Sequence, residues 1–358
     1  MKRITLCALL ITLFLLLGCG SGQQSVDSPN GGGAATGGGT LSSVLMDVSR
    51  SAENAFYAFL ELLSGTLGLR VTKDTTKQQV GDYFNNLGAK LGDASAELEQ
   101  VAKKSETELD KGELNKIIRS AVDSAKTTLN TLKNHLDSLK DIGDNDKVGE
   151  VPSANKQGAS VSINELKAAY KALKGIVDTA DKVGVGVLKE GNIQMNAGII
   201  GVAATPEDGV KVLTTGAAGA AVGDKAALIV SAVSGEEILA AIVNAQEGDA
   251  DKTIGNNADQ NTSALEFAKG GNNSAHLAQG AVKPSAVSAG IALRSLIKDG
   301  KLASHNANND DKAVQAVGVT AANKLLGTVE DIIKKTVKNV LKTAKEKIDK
   351  ARNPKTAE

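Results

Sequence analysis

The residue types that most often carry chemistry are sparse here. The two cysteines are Cys7 and Cys19, and Cys19 follows Leu16-Leu17-Gly18. A thiolate at Cys19 is a nucleophile suited to accepting a diacylglycerol group, and Gly18 leaves room for a peptidase to cut just before it. The histidines His135, His276 and His305 stand apart, without an H-x-x-x-H or H-E-x-x-H neighbour, and read as polar surface positions. Asp144-Asn145-Asp146 with Gly149 resembles the start of a calcium loop. Val148 and Asn155, however, fall where an oxygen ligand and a bidentate Glu are needed, so the stretch reads as a solvated acidic turn. The glycines between Gly216 and Lys225 lack the spacing of a phosphate loop and read as a turn before a helix. No G-x-S-x-G elbow occurs. The expectation is a protein without catalytic residues, metal site or cofactor, and so not an enzyme.

Cys19 gains meaning from what precedes it. Met1-Lys2-Arg3 is a short basic start, and Ile4–Leu17 is an uncharged apolar run. That run is shorter than the roughly 20 residues a membrane-spanning helix needs and suits a secretory leader. Basic start, apolar core, small residue and cysteine together resemble a bacterial lipobox. Residues 1–18 are thus expected to be a lipoprotein signal peptide, cleaved between Gly18 and Cys19, with Cys19 as the lipid attachment site. Cys7 leaves with the leader, so the mature chain has no free thiol and no disulfide. Two or more acyl chains would anchor it stably.

The chain has 358 residues, with 41 Lys+Arg balanced by 41 Asp+Glu. Loss of Lys2 and Arg3 with the leader makes the mature part mildly acidic. Such a balance argues against a nucleic-acid partner. Aromatics are 2% of residues, too few to line an aromatic pocket or stack bases.

Residues 19–40 hold many Gly and almost no large apolar residue, so they read as a flexible tether. Residues 41–358 read as one folded domain. Apolar residues recur at steps of three and four over Leu41–Leu63, Val80–Val101, Leu114–Leu139, Leu166–Ala180 and Val314–Ile348, which predicts long helices. Ser162 with Glu165 predicts a capping box. Residues 184–311 alternate short apolar runs with Gly, Asn and Asp, and form the expected loop-rich variable lobe. Helices are predicted at Ser234–Gln246 and Ser285–Lys298, while Val210–Leu213 is open between strand and helix. The fold class expected is mainly α: long antiparallel helices from both chain ends in an elongated bundle, a distal lobe of short helices and Gly-rich loops, and few or no short strands. Phe56, Tyr57, Phe59, Tyr83 and Phe84 crowd one stretch, which places the best-packed core near the N-terminal helices.

One charge feature stands out. Between Lys334 and Lys355 there are nine basic residues and two acids. Lys334, Lys335, Lys338, Lys342 and Lys345 are the candidate contacts with an anionic surface. The bland alternative is a solvated face whose cations complement the helix dipole.

The leader, the Ala/Lys-rich helices, Ala232–Val243 (AVSGEEILAAIV) and Ile291–Ala303 (IALRSLIKDGKLA) look like the variable large protein family of relapsing-fever Borrelia. They are also similar to the Vls surface lipoprotein of Lyme-disease spirochaetes. The likeness spans most of the chain and is weakest within 184–231 and 247–285. Ser285–Gly290 departs from the more charged lead-in the family pattern suggests, leaving the local surface there open. The resemblance implies a non-enzymatic, surface-exposed lipoprotein of the cell outer membrane, used as a variable major antigen for antigenic variation and immune evasion. It implies the outer membrane, reached through the N-terminal lipid, and host antibodies as partners. The competing reading is a surface adhesin for a host polyanion or host protein, and a homo-oligomer is a further candidate assembly.

Overall fold

The computed structural model describes residues 68–105, 113–153, 156–186, 188–191, 193–195, 205–306 and 309–352. The leader, the tether and the helix expected over Leu41–Leu63 lie outside these residues. So do Phe56, Tyr57 and Phe59.

The other four predicted long helices are present, with ends shifted by a few residues. Helix α1 is Lys77–Ser105, α2 is Glu113–Asp137 and α3 is Ile163–Lys182. The central region supplies short helices: α4, Gly223–Ser231; α5, Gly235–Val243; α6, Ala264–Lys269; α7, Ser274–Leu277; and α8, Pro284–Leu296. The chain closes with α9, Asp310–Arg352, which at about 1.5 Å per residue is roughly 65 Å long.

The apolar stripes turn inward as their spacing requires. Leu87, Leu91, Leu98 and Val101 of α1 meet Ile118, Leu129, Leu132 and Leu136 of α2 in one continuous core. Val314, Leu325, Val329, Ile333 and Val337 of α9 are buried in the same core. Phe84, Leu173 of α3, and Leu325 and Val329 of α9 surround one interior void of ≈ 20 Å³. That is room for about one water, and the lining is apolar.

One expectation needs correction, and two open points are settled. Ser162 is the N-cap of α3, but its hydroxyl bonds the Glu165 carboxylate instead of the helix backbone, so no capping box forms. Capping boxes form at Ser234/Glu237 and Ser263/Glu266, where the same S-x-x-E spacing occurs. Val210–Leu213 belongs to a 3-10 helix, Pro206–Leu213, begun by Pro206 and followed by Glu207 and Asp208 in its first turn. Of the aromatics expected to mark the best-packed core, Tyr83 and Phe84 lie among the described residues, and Phe84 is buried. Every residue of α8 is buried, including Ser285–Gly290, so that stretch is interior and not surface. Its Gly290 lies against Phe267 of α6, where an added Cβ would come within 2.5 Å.

Among the described residues, extended pairing is limited to isolated bridges, Thr76 with Lys147, Ala159 with Lys301 and Thr214 with Gly271.

Candidate functional site

Gly18 and Cys19 lie outside the described residues. The lysine cluster lies within them. Lys334, Lys335, Lys338, Lys342 and Lys345 are all exposed on α9. At about 100° per residue they share the face opposite Val337, Val340 and Ala344, which are buried. No acid occurs from Ile332 to Lys345. Lys342 pairs with Glu346 at 3.8 Å, and Lys345 pairs with Asp349. Among the described residues no carboxylate lies within ion-pair distance of Lys334, Lys335 or Lys338.

Just before this face, α9 holds the incoming chain. The Glu330 carboxylate accepts bonds from the backbone N–H of Gly68 and of Leu69, both at 3.1 Å, and from the Tyr83 hydroxyl. Burial and the neighbouring carboxylate raise the Tyr83 pKa, so the phenol stays a donor. The Asn323 amide bonds both the N–H and the C=O of Val71 at 2.9 Å. Gln315 Nε2 donates to the Lys73 carbonyl at 3.1 Å. Residues 68–73 are thus laid along α9 from Glu330 back to Gln315.

Charged side chains inside the body serve helix ends. Three cations each donate to carbonyls at a C-terminal end, where the backbone has no internal donor left. Lys77, fully buried, donates to Ile297 O (3.0 Å) and Gly300 O (2.7 Å) after α8. Burial lowers its pKa, partly offset by Asp144 at 3.8 Å. Arg294 is also fully buried. Its Nε donates to Ala268 O at 2.9 Å and Nη1 to Thr214 O at 3.4 Å, at the ends of α6 and the 3-10 helix. Among the described residues Nη2 has no hydrogen-bond partner, and burial holds the guanidinium down to about 9. Lys324 donates to Val230 O (2.8 Å) and Val233 O (2.6 Å) at the end of α4. At the other end of α4, Asp310 Oδ1 accepts from the N–H of Val222 (2.9 Å) and Gly223 (2.7 Å).

None of these four positions was legible as special in the sequence, because each partner is a backbone group distant along the chain. The acidic turn also differs from expectation. Asp144 and Asp146 are half-buried: Asp144 Oδ2 accepts from the Asp299 N–H at 2.8 Å, and Asp146 pairs with Lys301 at 3.1 Å. They tie this turn to the loop after α8. The histidines are not plain surface residues either. All three are partly buried, and the His135 ring sits where a side chain on Gly175 of α3 would go.

Among the described residues no group of three or more His, Cys, Asp or Glu is placed to hold a metal ion. No helix there is by itself long and apolar enough to cross a membrane.

Comparison with known proteins agrees with this architecture. A family model described as Borrelia lipoprotein matches residues 52–348. Variable large protein 25 of Borrelia hermsii is 59% identical over 357 residues, covering 99% of this chain and 96% of that one. Variable large protein 18 of the same organism is 56% identical over 356 residues, covering 99% and 96%. The crystal structure of the Lyme disease variable surface antigen VlsE of Borrelia burgdorferi superposes with a TM-score of 0.66 at 22% identity. It covers 86% of this chain and 98% of that one, and at this identity the likeness is one of fold.

Proposed function

The chain belongs to the Borrelia lipoprotein family, and from that premise we propose that it is a variable major antigen, displayed at the outer surface through a lipid on Cys19. The observation that carries this reading is the 59% identity to a variable large protein along nearly the whole chain, the leader and Cys19 region included. The fold suits the role. Helix ends and core stripes are fastened by buried side chains, while residues 255–257 and 259–261 are exposed and make few side-chain bonds. Substitution there disturbs little packing. The role asks for a durable scaffold with replaceable surface and no reaction, so we read the protein as non-enzymatic.

The test is serological. Antibody raised against this chain agglutinates cells expressing it and spares cells expressing a divergent copy. Equal agglutination of both would contradict the proposal. Labelled palmitate entering the protein, and lost on Cys19→Ala, tests the anchor separately. A second reading, adhesion to a host polyanion, rests on the lysine face of α9 and is tested by retention on heparin at physiological salt.

A further inference from the structure

We propose that the lysine face of α9, from Lys334 to Lys345, is the surface that the folded body lays against the anionic headgroups of the membrane holding its lipid. The inference rests on the anchored reading above and adds which face meets the bilayer.

Three observations combine. The first is arrangement. Lys334, Lys338, Lys342 and Lys345 follow at steps of four, four and three, so they form one row about 16 Å long, with Lys335 beside it. The opposite side of the same turns is occupied by Val337, Val340 and Ala344 in the core, so the row cannot turn away from solvent. The second is charge. The stretch from Ile332 to Lys345 contains five lysines and no acid, in a chain whose overall charge is balanced. The pairing acids, Glu346 and Asp349, come only after the row. The third is where the chain comes in. The described fold begins at Gly68 and Leu69, and both are held by Glu330, one helical turn before Lys334. Gly68, from which the sequence runs back to Cys19, is therefore held beside the row. A lipid anchor raises the effective concentration of that end at the bilayer, and a weak electrostatic contact becomes intramolecular.

Lysine heads on long apolar stems suit this contact. Each is a strongly hydrated point charge that can reach toward phosphates without ordering the helix further. The attraction is several-fold per lysine and falls off within a Debye length, so it is salt-sensitive. A sulfated host glycan offers the same charge. The lipid is favoured because the first described residue on the Cys19 side of the fold, Gly68, is held beside the row.

The experiment uses the mature chain from residue 19 onward carrying Cys19→Ser, which has no apolar leader and cannot be acylated, so its outcome is independent of whether Cys19 is modified in the cell. Sedimentation with phosphatidylglycerol-containing vesicles and with pure phosphatidylcholine vesicles is compared at low salt. Binding is expected to the former alone, to fade as salt rises, and to weaken about tenfold or more when Lys334, Lys335 and Lys338 are all changed to Gln. Those lysines lie outside the core, so an unchanged melting temperature confirms that the variant is folded. A control with Lys73→Gln and Lys298→Gln, exposed lysines outside the row, keeps its binding. Equal binding to both vesicle types overturns the proposal, as does undiminished binding by the triple variant. Retention on heparin with no binding to anionic vesicles also overturns it and assigns the row to a host glycan.

Discussion

Asp310 and Lys324 lie on one helix, α9, and grip opposite ends of another, α4. The carboxylate accepts the N–H groups that open α4, and the ammonium donates to the carbonyls that close it. Both charges complement the dipole of α4, which fixes α4 parallel to α9. Asp310 also accepts the His305 N–H at 2.7 Å, which ties down the loop before α9. Asp310→Ala leaves buried N–H groups without an acceptor and is expected to cost about 2–4 kcal/mol. Lys324→Met is expected to cost about 1–2 kcal/mol. Urea unfolding measures both, and hydrogen exchange of the α4 amides should rise in each variant. Unchanged exchange would show that α4 is held by packing alone.

The Glu330 contact makes a local claim. Glu330→Ala strips Gly68 N–H, Leu69 N–H and the Tyr83 hydroxyl of their acceptor. A loss of about 1–3 kcal/mol is expected, with faster exchange at residues 68–71 before any global opening. Tyr83→Phe keeps the backbone bonds and should cost less. Equal losses for the two variants would place the effect in the Tyr83 hydroxyl bond and not in the two backbone bonds.

Gly270 and Arg294 are coupled by space. Gly270 has φ +74°, and an added Cβ would lie 2.2 Å from Arg294 Nη2 and 2.2 Å from the Leu213 carbonyl oxygen. Gly270→Ala is therefore expected to destabilise by about 3 kcal/mol or more. Arg294→Met removes the guanidinium clash but not the carbonyl clash, so it should rescue only part of that loss. Arg294→Met alone is expected to change stability by less than about 2 kcal/mol, because it exchanges helix-end bonds for relief from a buried charge without a carboxylate partner.

Burial lowers the pKa of His135, with Asp178 opposing the shift and Lys182 reinforcing it. The folded state thus prefers the neutral ring, and the unfolded chain binds the proton more readily. This contribution is complete above the ordinary histidine pKa of about 6.5 and is lost as pH falls through that value toward the folded pKa. Thermal melts from neutral to mildly acidic pH should show a smaller decline for His135→Gln than for the natural chain. Parallel declines would mean that protonation at His135 is not felt by the α2–α3 contact.

How much of this was visible in the sequence depends on what each residue touches. The stripes of α1, α2, α3 and α9 repeat every three or four positions, so Leu87, Leu132, Leu173 and Val329 declare a buried face locally. The exposed face from Lys334 to Lys345 follows from the same periodicity. The chain ends of short helices do not declare themselves. Lys77 and Arg294 are in composition two more cations, and only the tertiary fold brings Gly300 O or Ala268 O to them. The same holds for Asp144, whose partner Asp299 lies far along the chain. Ser285–Gly290 was hard to read because Ser and Gly in a helix suggest exposure, whereas here small residues let α8 pass close to Phe267.

The most direct measurement is to sequence the expressed copy in serial isolates taken before and after an antibody response. The account predicts wholesale change at exposed positions within 184–311, around residues 255–261 among others. It also predicts retention of the buried α8 segment Pro284–Leu296 and of Asp310, Lys324 and Glu330. An expressed sequence that stays fixed while the cells persist would contradict the antigen reading.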